Sequence, residues 1–311
     1  MQLQRSRQQN RLPHALLLAG AAGLGKSRFA RSLAQSILCE QPGEQGEACG
    51  KCRQCLLLQA ENHPDLRVVT PAEDSHVIRI DAIRELASGN TLSVGDGGFR
   101  IFIIEPAHAM GQGAANALLK TLEEPIAGTL MLLVTSAPDR LPVTIRSRCQ
   151  LLRFSPPDRQ TGLAWLQQSG LSATEAGEAL ELAAGAPLRA LELATGGALE
   201  PYRLLREGLQ SLLLGQDTAV SLAEAWLKEK ELDSLLLFLS SEIMDVIRGK
   251  RHQEGKKAVS PLQSLHEWVD LKELYRLLDR LTDTRRAGSN NLNAQLALES
   301  ILLQWSHITR G

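Results

Sequence analysis

Near its amino end the sequence reads Gly20-Ala21-Ala22-Gly23-Leu24-Gly25-Lys26-Ser27, which fits the phosphate-loop pattern G-x-x-x-x-G-K-[ST] at every fixed position. The stretch follows a short apolar run and opens a segment with helical spacing, which is the context this loop requires. Glycines let backbone N–H groups curl around phosphate oxygens, and the start of the helix adds positive potential. We therefore expect Lys26 to reach the outer phosphates of a nucleotide and Ser27 to ligate Mg²⁺. The alternative is a glycine-rich turn that binds nothing.

Short apolar runs alternate with helical patterns on both sides of this loop. Such alternation predicts an α/β fold in which a parallel sheet is covered by helices on both faces. The predicted strands are 15–19, 66–70, 100–104, 130–135 and 151–154, and the predicted helices are 26–38, 80–88, 113–122 and 138–146.

The alternation ends at Pro156 and Pro157, since proline interrupts strands and helices alike. Only helical patterns follow: three short ones at 161–168, 173–184 and 188–194, then a Gly196-Gly197 break and longer amphipathic segments typical of a helical bundle. We expect three domains: an α/β core over 1–155, a small helical domain over 156–197 and an all-α bundle over 198–311. The polar stretch 249–260 is expected to be an exposed loop.

The composition excludes several classes of protein. The 311 residues are 43% hydrophobic and 22% charged, which is ordinary for a globular chain and rules out a disordered one. With Lys+Arg 34 against Asp+Glu 35, the net charge of −1 argues against a general cationic nucleic-acid binder. We find no secretory signal and no apolar run long enough to cross a membrane, so we expect a cytoplasmic protein that does not bind membranes.

A hydrolase with this loop needs a second strand that ends in an Asp for Mg²⁺, often followed by a Glu that orients water. The strand at 100–104 is instead followed by Glu105 and Pro106. Glu105 is one methylene longer than Asp, and proline can neither accept a proton nor orient water. We therefore expect little or no intrinsic hydrolysis. His108 is the remaining candidate base, although a packed or capping role is the simpler interpretation.

Four of the five cysteines, Cys39, Cys49, Cys52 and Cys55, have the spacing C-x₉-C-x₂-C-x₂-C. Two-residue spacers let successive thiolates point at one ion, and four thiolates match a closed tetrahedral structural zinc site. The surrounding insert is rich in Gly and Glu, so metal binding can supply its folding energy. An iron–sulfur cluster and four unmetallated thiols are the alternatives. Cys149 is expected to be a buried free thiol.

Several stretches resemble the clamp-loader ATPases of the AAA+ class. They are Ser147-Arg148-Cys149, Asn116-Ala117-Leu118-Leu119-Lys120-Thr121-Leu122-Glu123-Glu124-Pro125, His63-Pro64-Asp65 and the cysteine insert. The resemblance implies an AAA+ P-loop core with a zinc insert, a helical lid and a C-terminal collar. It also implies that Arg148 acts as an arginine finger on the nucleotide of a neighbouring subunit; the alternative is an exposed arginine that pairs with a local carboxylate. The implied nucleotide-binding residues are Gly20, Gly23, Gly25, Lys26, Ser27, Glu105, Thr135 and Arg189. For Arg189, the alternative is a surface arginine of a helix.

The same resemblance implies partners and a role. The partners are other loader subunits (gamma/tau and delta) in a hetero-pentamer, a sliding clamp, and primer-template DNA through the complex. The role is that of a non-hydrolysing subunit of a DNA polymerase holoenzyme, with structural Zn²⁺ and with ATP and Mg²⁺ bound but not hydrolysed. The alternatives are a self-sufficient motor ATPase of the gamma/tau type and, more remotely, a small-molecule P-loop kinase. The first strand begins close to residue 1, whereas the family has a further segment around the adenine. This difference weakens the expectation of base recognition, and a truncated start is one explanation of it.

Overall fold

The residues described by this computed structural model, 12–72, 75–88, 98–251, 269–287 and 293–310, contain five strands that form one sheet. The strands are β1 (Ala15–Ala19), β2 (Leu66–Val69), β3 (Arg100–Ile104), β4 (Thr129–Thr135) and β5 (Gln150–Arg153). They lie in the order β2-β3-β4-β1-β5, and every neighbouring pair is parallel. The predicted parallel sheet is therefore confirmed, and each predicted strand overlaps an observed one.

The register of the sheet brings the carboxyl ends of its central strands together. Ala19 at the end of β1 pairs with Thr135 at the end of β4, and Ile104 at the end of β3 pairs with Leu133. Residues that follow β1 and β3 in the sequence therefore emerge at the same edge as Thr135. Leu16 and Leu18 face one layer of core and Leu17 faces the other, as expected for a strand with both faces covered.

Helices cover both faces of the sheet: α1 (Lys26–Leu38), α2 (Arg53–Gln59), α3 (Ile80–Ser88), α4 (Gln112–Glu123) and the short α5 (Val143–Arg146). The prediction of one helix over 138–146 was wrong. A 3₁₀ turn at Pro138–Arg140 is followed by extended Leu141, because the residue before a proline avoids the helical conformation, and α5 starts only after Pro142. Helix α2, which lies in the cysteine insert, was not predicted.

The second half of the described chain is helical. Its helices are α6 (Arg159–Gln168), α7 (Ala173–Leu182), α8 (Pro187–Thr195), α9 (Leu199–Leu213), α10 (Ala219–Glu229), α11 (Leu232–Arg251), α12 (Leu271–Ala287) and α13 (Ala294–Arg310). A cluster of buried side chains, including Leu209, Phe238, Leu281 and Trp305, joins the last five. Helix α11 runs to Arg251, so the start of the predicted 249–260 loop is helical; residues 252–260 lie outside the described residues.

The described residues divide into two compact units. The first runs from residue 12 to Thr161 and includes Ala186–Arg189, and the second contains Gly162–Gly185 and the described residues from Ala190 onward. The three-domain division stays a prediction. Within the described ranges, none of the helices is sufficiently long and apolar to cross a membrane.

Ion pairs join α7 to α9 inside the second unit. Arg203 Nη2 lies 2.6 Å from Glu178 Oε2, and Arg206 Nη1 lies 3.8 Å from Glu181 Oε2. Arg206 Nε also donates to the buried Glu242 of α11 at 2.9 Å. A buried carboxylate is stabilised by such a partner, and losing one side of a buried pair typically costs about 3–5 kcal/mol. The short helix α7 is thus held against the same unit as the longer helices that follow it.

Candidate nucleotide and metal sites

The phosphate loop connects β1 to α1 and is in close contact with its surroundings. Gly20 donates its N–H to the carbonyl of Thr135 at 3.3 Å, and a Cβ at this position would lie 2.3 Å from the carbonyl oxygen of Phe154. Gly23 has a φ of +75°, and a Cβ there would lie 2.4 Å from the Cβ of Arg189. Two glycines of the pattern are therefore required by close packing as well as by backbone conformation.

Lys26 is the first residue of α1, directly after the N-cap Gly25, and its side chain lies over the loop. Its Nζ donates to the carbonyl oxygen of Ala21 at 2.6 Å, and the residue is buried. Burial lowers the pKa of Lys26, and the carboxylate of Glu105 partly opposes this shift. The ammonium group is therefore hydrogen-bonded to the backbone of the loop, where the phosphate-loop pattern requires it.

Glu105 follows β3 and lies beside Ser27, whose hydroxyl donates to the Glu105 carboxylate. The backbone N–H of Glu105 is itself fixed by the carbonyl of Val69 at 2.9 Å. The longer side chain of Glu thus reaches the position expected of an acidic strand-end residue and touches the proposed Mg²⁺ ligand. Pro106 follows at once, so the next side chain offers no carboxylate to orient water.

His108 lies on the short 3₁₀ turn after Glu105. Its Nδ1 is 3.0 Å from the hydroxyl of Thr135, which also accepts the N–H of Ala137 at 3.1 Å. Burial, with the nearby charges of Arg140 and Lys26, lowers the pKa of His108. A neutral imidazole hydrogen-bonded to a strand end fits the packed, capping role predicted for His108. The same contact fixes Thr135 at the carboxyl edge of the sheet, 1% exposed.

The start of α8 lies against the phosphate loop, within the same unit. Leu188 donates its N–H to the carbonyl of Gly23 at 3.1 Å, and the backbone N of Arg189 lies 2.6 Å from where a Gly23 Cβ would be. Arg189 is 163 residues beyond Lys26 in the sequence (189 − 26). The contacts described above connect Gly20, Gly23, Lys26, Ser27, Glu105, Thr135 and the backbone of Arg189, and Gly25 directly precedes Lys26. The eight predicted nucleotide-binding residues therefore lie around one loop.

The four cysteines of the insert converge. Their sulfur atoms all lie within 4.8 Å of one another, with Cys39 to Cys52 at 3.9 Å and Cys49 to Cys55 at 4.0 Å. In a tetrahedral site with Zn–S bonds of about 2.3 Å, neighbouring sulfurs are about 3.8 Å apart. Backbone N–H groups also point at the sulfurs, for example Cys52 N to Cys49 Sγ at 3.4 Å. The set of four thiols could hold a metal ion.

The cysteines differ in their readiness to ionise. Backbone N–H hydrogen bonds, that of Cys55 first, lower the pKa of Cys52 to about 6, whereas burial raises the pKa of Cys55 to about 12. Holding all four cysteines as thiolates would need a nearby cation to offset their negative charge, which fits a metal-binding role. Cys39 is the C-cap of α1, so the cluster lies at the opposite end of this helix from the phosphate loop, about 20 Å away for 13 residues. A metal ion held by the four cysteines would therefore lie too far from the loop to contact the phosphates.

Arg148 lies at the other edge of the sheet. It follows α5 and precedes β5, so it is placed at the amino end of a parallel strand, whereas the phosphate loop follows the carboxyl end of β1. Four residues of β5 separate the two edges by about 13 Å. Its guanidinium forms an ion pair with Glu123, Nη2 to Oε1 at 2.8 Å, and Nη1 donates to the carbonyl of Thr144 at 3.0 Å. The structure therefore does not bring Arg148 to its own loop.

The ion pair of Arg148 agrees with the alternative that it pairs with a local carboxylate, but the sequence did not identify Glu123 as the partner. Thr144 lies four residues before Arg148, a spacing that can be recognised in a helix. Glu123 lies 25 residues away (148 − 123) on a different element, so only the packing of α4 beside α5 reveals the pair.

A phosphate loop after β1, an acidic residue after β3 and a parallel sheet in this order define an AAA+ P-loop fold. Residues 1–158 match the family model described as DNA polymerase III, delta subunit, and residues 198–307 match its C-terminal counterpart. The chain is 36% identical over 306 residues to DNA polymerase III subunit delta' of Pseudomonas aeruginosa, covering 95% of this chain and 92% of that one. The chain belongs to the DNA polymerase III delta' family.

Three further comparisons are consistent with this assignment. DNA polymerase III subunit delta' of Escherichia coli K12 is 36% identical over 311 residues, covering 97% of this chain and 91% of that one. DNA polymerase III subunit tau/gamma of Haemophilus influenzae is 37% identical over 140 residues, but this covers 45% of this chain and 20% of that one. A crystal structure of a DNA polymerase III gamma subunit-related protein from Thermotoga maritima has the same fold, with a TM-score of 0.50, 18% identity and full coverage of both chains. The family resemblance inferred from the motifs is confirmed.

The contact between Gly23 and the start of α8 leads to a stability prediction. Gly23→Ala is expected to lower the stability of the protein by more than about 1 kcal/mol, because φ is positive and the new methyl collides with Arg189. Gly177→Ala serves as the control, since Gly177 lies inside α7 and a Cβ added there would have no atom within 4 Å; it should stabilise by about 0.5–1 kcal/mol. Thermal and urea unfolding measure both changes, and a neutral Gly23→Ala would contradict the packing described.

Proposed function

We propose that this protein is a non-hydrolysing subunit of the DNA polymerase III clamp-loader complex. It stabilises an open ring of subunits and donates Arg148 to the nucleotide of a neighbouring motor subunit. The complex then places a sliding clamp on primed DNA during replication in the cytoplasm. Its partners are the gamma/tau and delta subunits in a hetero-pentamer, with the clamp and primer-template DNA engaged through the complex.

The observation that carries this proposal is the distribution of charged groups over the two edges of the sheet. The carboxyl edge holds Lys26, Ser27 and Glu105 together, but Pro106 replaces the residue that would activate water. The amino edge holds Arg148, about 13 Å from that loop along β5. An arginine this far from its own phosphates suits a nucleotide on another subunit, where such a finger is worth about 10³–10⁵ in rate.

A motor ATPase of the gamma/tau type is the second candidate. The intact phosphate loop and the hydrogen bond between Ser27 and Glu105 favour it. Against it stands Pro106, because proline supplies no general base, while His108 is hydrogen-bonded to Thr135. A small-molecule kinase has less support, since neither the cysteine cluster nor Arg148 has a part in such a reaction.

The role of Arg148 is tested by steady-state ATPase measurements. The isolated protein is expected to show no turnover; mixed with motor subunits, clamp and primed DNA, it should raise turnover, and Arg148→Ala should remove most of that increase. Arg84→Ala, which alters another exposed arginine with a surface ion pair, should retain it. Robust hydrolysis by the isolated protein that is lost in Lys26→Ala would establish the motor function instead.

Nucleotide binding is proposed separately, with ATP and Mg²⁺ bound as a structural ligand. The ligands are the loop N–H groups, Lys26 and Ser27, with Glu105, Thr135 and Arg189 around the phosphates. Titration calorimetry with Mg²⁺ and ATP should show binding, with the ATP recovered intact, and Lys26→Ala should weaken it at least about tenfold because a charged phosphate contact is lost. Lys228→Ala, at an exposed ion pair in α10, is the control. No heat with the unaltered protein would refute nucleotide binding.

Zinc is the metal proposed for the cysteine cluster. The protein purified under reducing conditions should contain about one zinc per chain, as four thiolates favour this ion. Cys52→Ser should lose the metal, whereas Cys149→Ala should retain it because the buried Cys149 lies outside the cluster. Elemental analysis measures this; less than about half a metal per chain would count against the site, and iron with labile sulfide would indicate the cluster alternative.

A further inference from the structure

The Arg148 side chain lies back along α5, the short helix that precedes it. Its Nη1 donates to the carbonyl of Thr144, one turn earlier, at 3.0 Å, and is 3.5 Å from the hydroxyl of Ser147. Its Nη2 lies 2.8 Å from the carboxylate of Glu123 at the end of α4. A side chain held by these contacts is folded onto its own subunit, whereas a finger that acts in trans has to extend away from it.

We infer that this is a parked position of the finger, and that Glu123 is the positioning residue that holds Arg148 in it until a neighbouring nucleotide is presented. The inference rests on the proposed action of Arg148 in trans. Engagement then consists of an exchange: the guanidinium leaves a single carboxylate and a carbonyl oxygen for the more highly charged phosphates of the partner.

The location of Glu123 suits this role. It is the last residue of α4, where the negative end of the helix dipole disfavours a carboxylate unless a cation lies nearby. Arg148 supplies that cation from a different element. The following residue, Glu124, makes no ion pair with any other residue that the structure describes, although it carries the same charge.

The strength of the contact suits release as well as retention. The Arg148 and Glu123 side chains are 37% and 51% exposed, so the pair is a surface ion pair that salt weakens. A surface pair of this kind shifts the equilibrium between the parked and released positions of Arg148 by about twofold to fivefold. An ion pair of this strength keeps the exposed guanidinium of Arg148 from binding other anions. It is still weak enough to be replaced by the phosphates of a nucleotide held at a subunit interface.

The parked position can be tested on the isolated protein. Glu123→Gln removes the charge that retains Arg148, so phenylglyoxal should modify Arg148 about twofold to fivefold faster than in the unaltered protein at low salt. Glu124→Gln, which makes the same change one residue along, should leave the rate unchanged. Peptide mass spectrometry measures each arginine separately. Equal rates for Arg148 in all three proteins would overturn the inference, whatever Arg148 does in the complex.

The consequence for assembly is tested with motor subunits, clamp and primed DNA. Glu123→Gln should lower the protein concentration that gives half-maximal ATPase stimulation about twofold to fivefold at low salt, with kcat unchanged and the gain lost at high salt. A purely structural role of Glu123 would not produce a salt-sensitive gain, and a loss of kcat would overturn the inference. Arg148→Ala in the same assay distinguishes failure of the proposed function from failure of the parking inference. If Arg148→Ala leaves stimulation unchanged, the proposed function fails. If it abolishes stimulation while Glu123→Gln behaves as the unaltered protein, only the parking inference fails.

Discussion

The backbone hydrogen bonds that pair β1 with β4 and β4 with β3 in parallel are the constraint on which the rest depends. They bring the ends of three strands to one edge, so that the loop after Ala19, the Glu105 carboxylate and Thr135 meet there. Residues separated by more than a hundred positions thereby form one polar group beside Lys26. Successive residues of the central strands alternate between two buried apolar layers, one on each face of the sheet, and this burial specifies the register.

The α/β unit keeps the phosphate loop, the cysteine cluster and Arg148 at separate places. Helix α1 begins at the phosphate loop and is followed by Cys39, so its length separates the cysteine cluster from the phosphate loop. Strand β5 begins just after Arg148 and ends near the loop, so its length sets the arginine apart as well. The cysteine cluster, the phosphate loop and the exposed Arg148 therefore lie at separate places within one unit.

Glu105 and Pro106, the two residues that follow β3, affect nucleotide binding and hydrolysis differently. Glu105 retains the hydrogen bond to Ser27 through its extra methylene, so the arrangement expected for binding Mg²⁺ remains. Pro106 takes away the side chain that would activate water. In the proposed role, nucleotide binding and hydrolysis are separated at the end of β3, because binding depends on backbone N–H groups and Lys26, whereas hydrolysis needs an additional base.

The sequence by itself determined the class of fold and supplied the candidate site residues. The phosphate-loop pattern, the alternation of apolar strands with helices, and the cysteine spacing are all local signals, because each depends on residues that are near one another in the chain. Helix 138–146 was predicted wrongly because Pro142 acts through the conformation of Leu141, which helical spacing alone does not weigh. Tertiary structure decided what no local pattern contains: the packing of Arg189 on Gly23, the cluster geometry of the four sulfurs and the pair of Arg148 with Glu123. These contacts join residues on separate elements, and only the packing of those elements around the sheet fixes the distances between them.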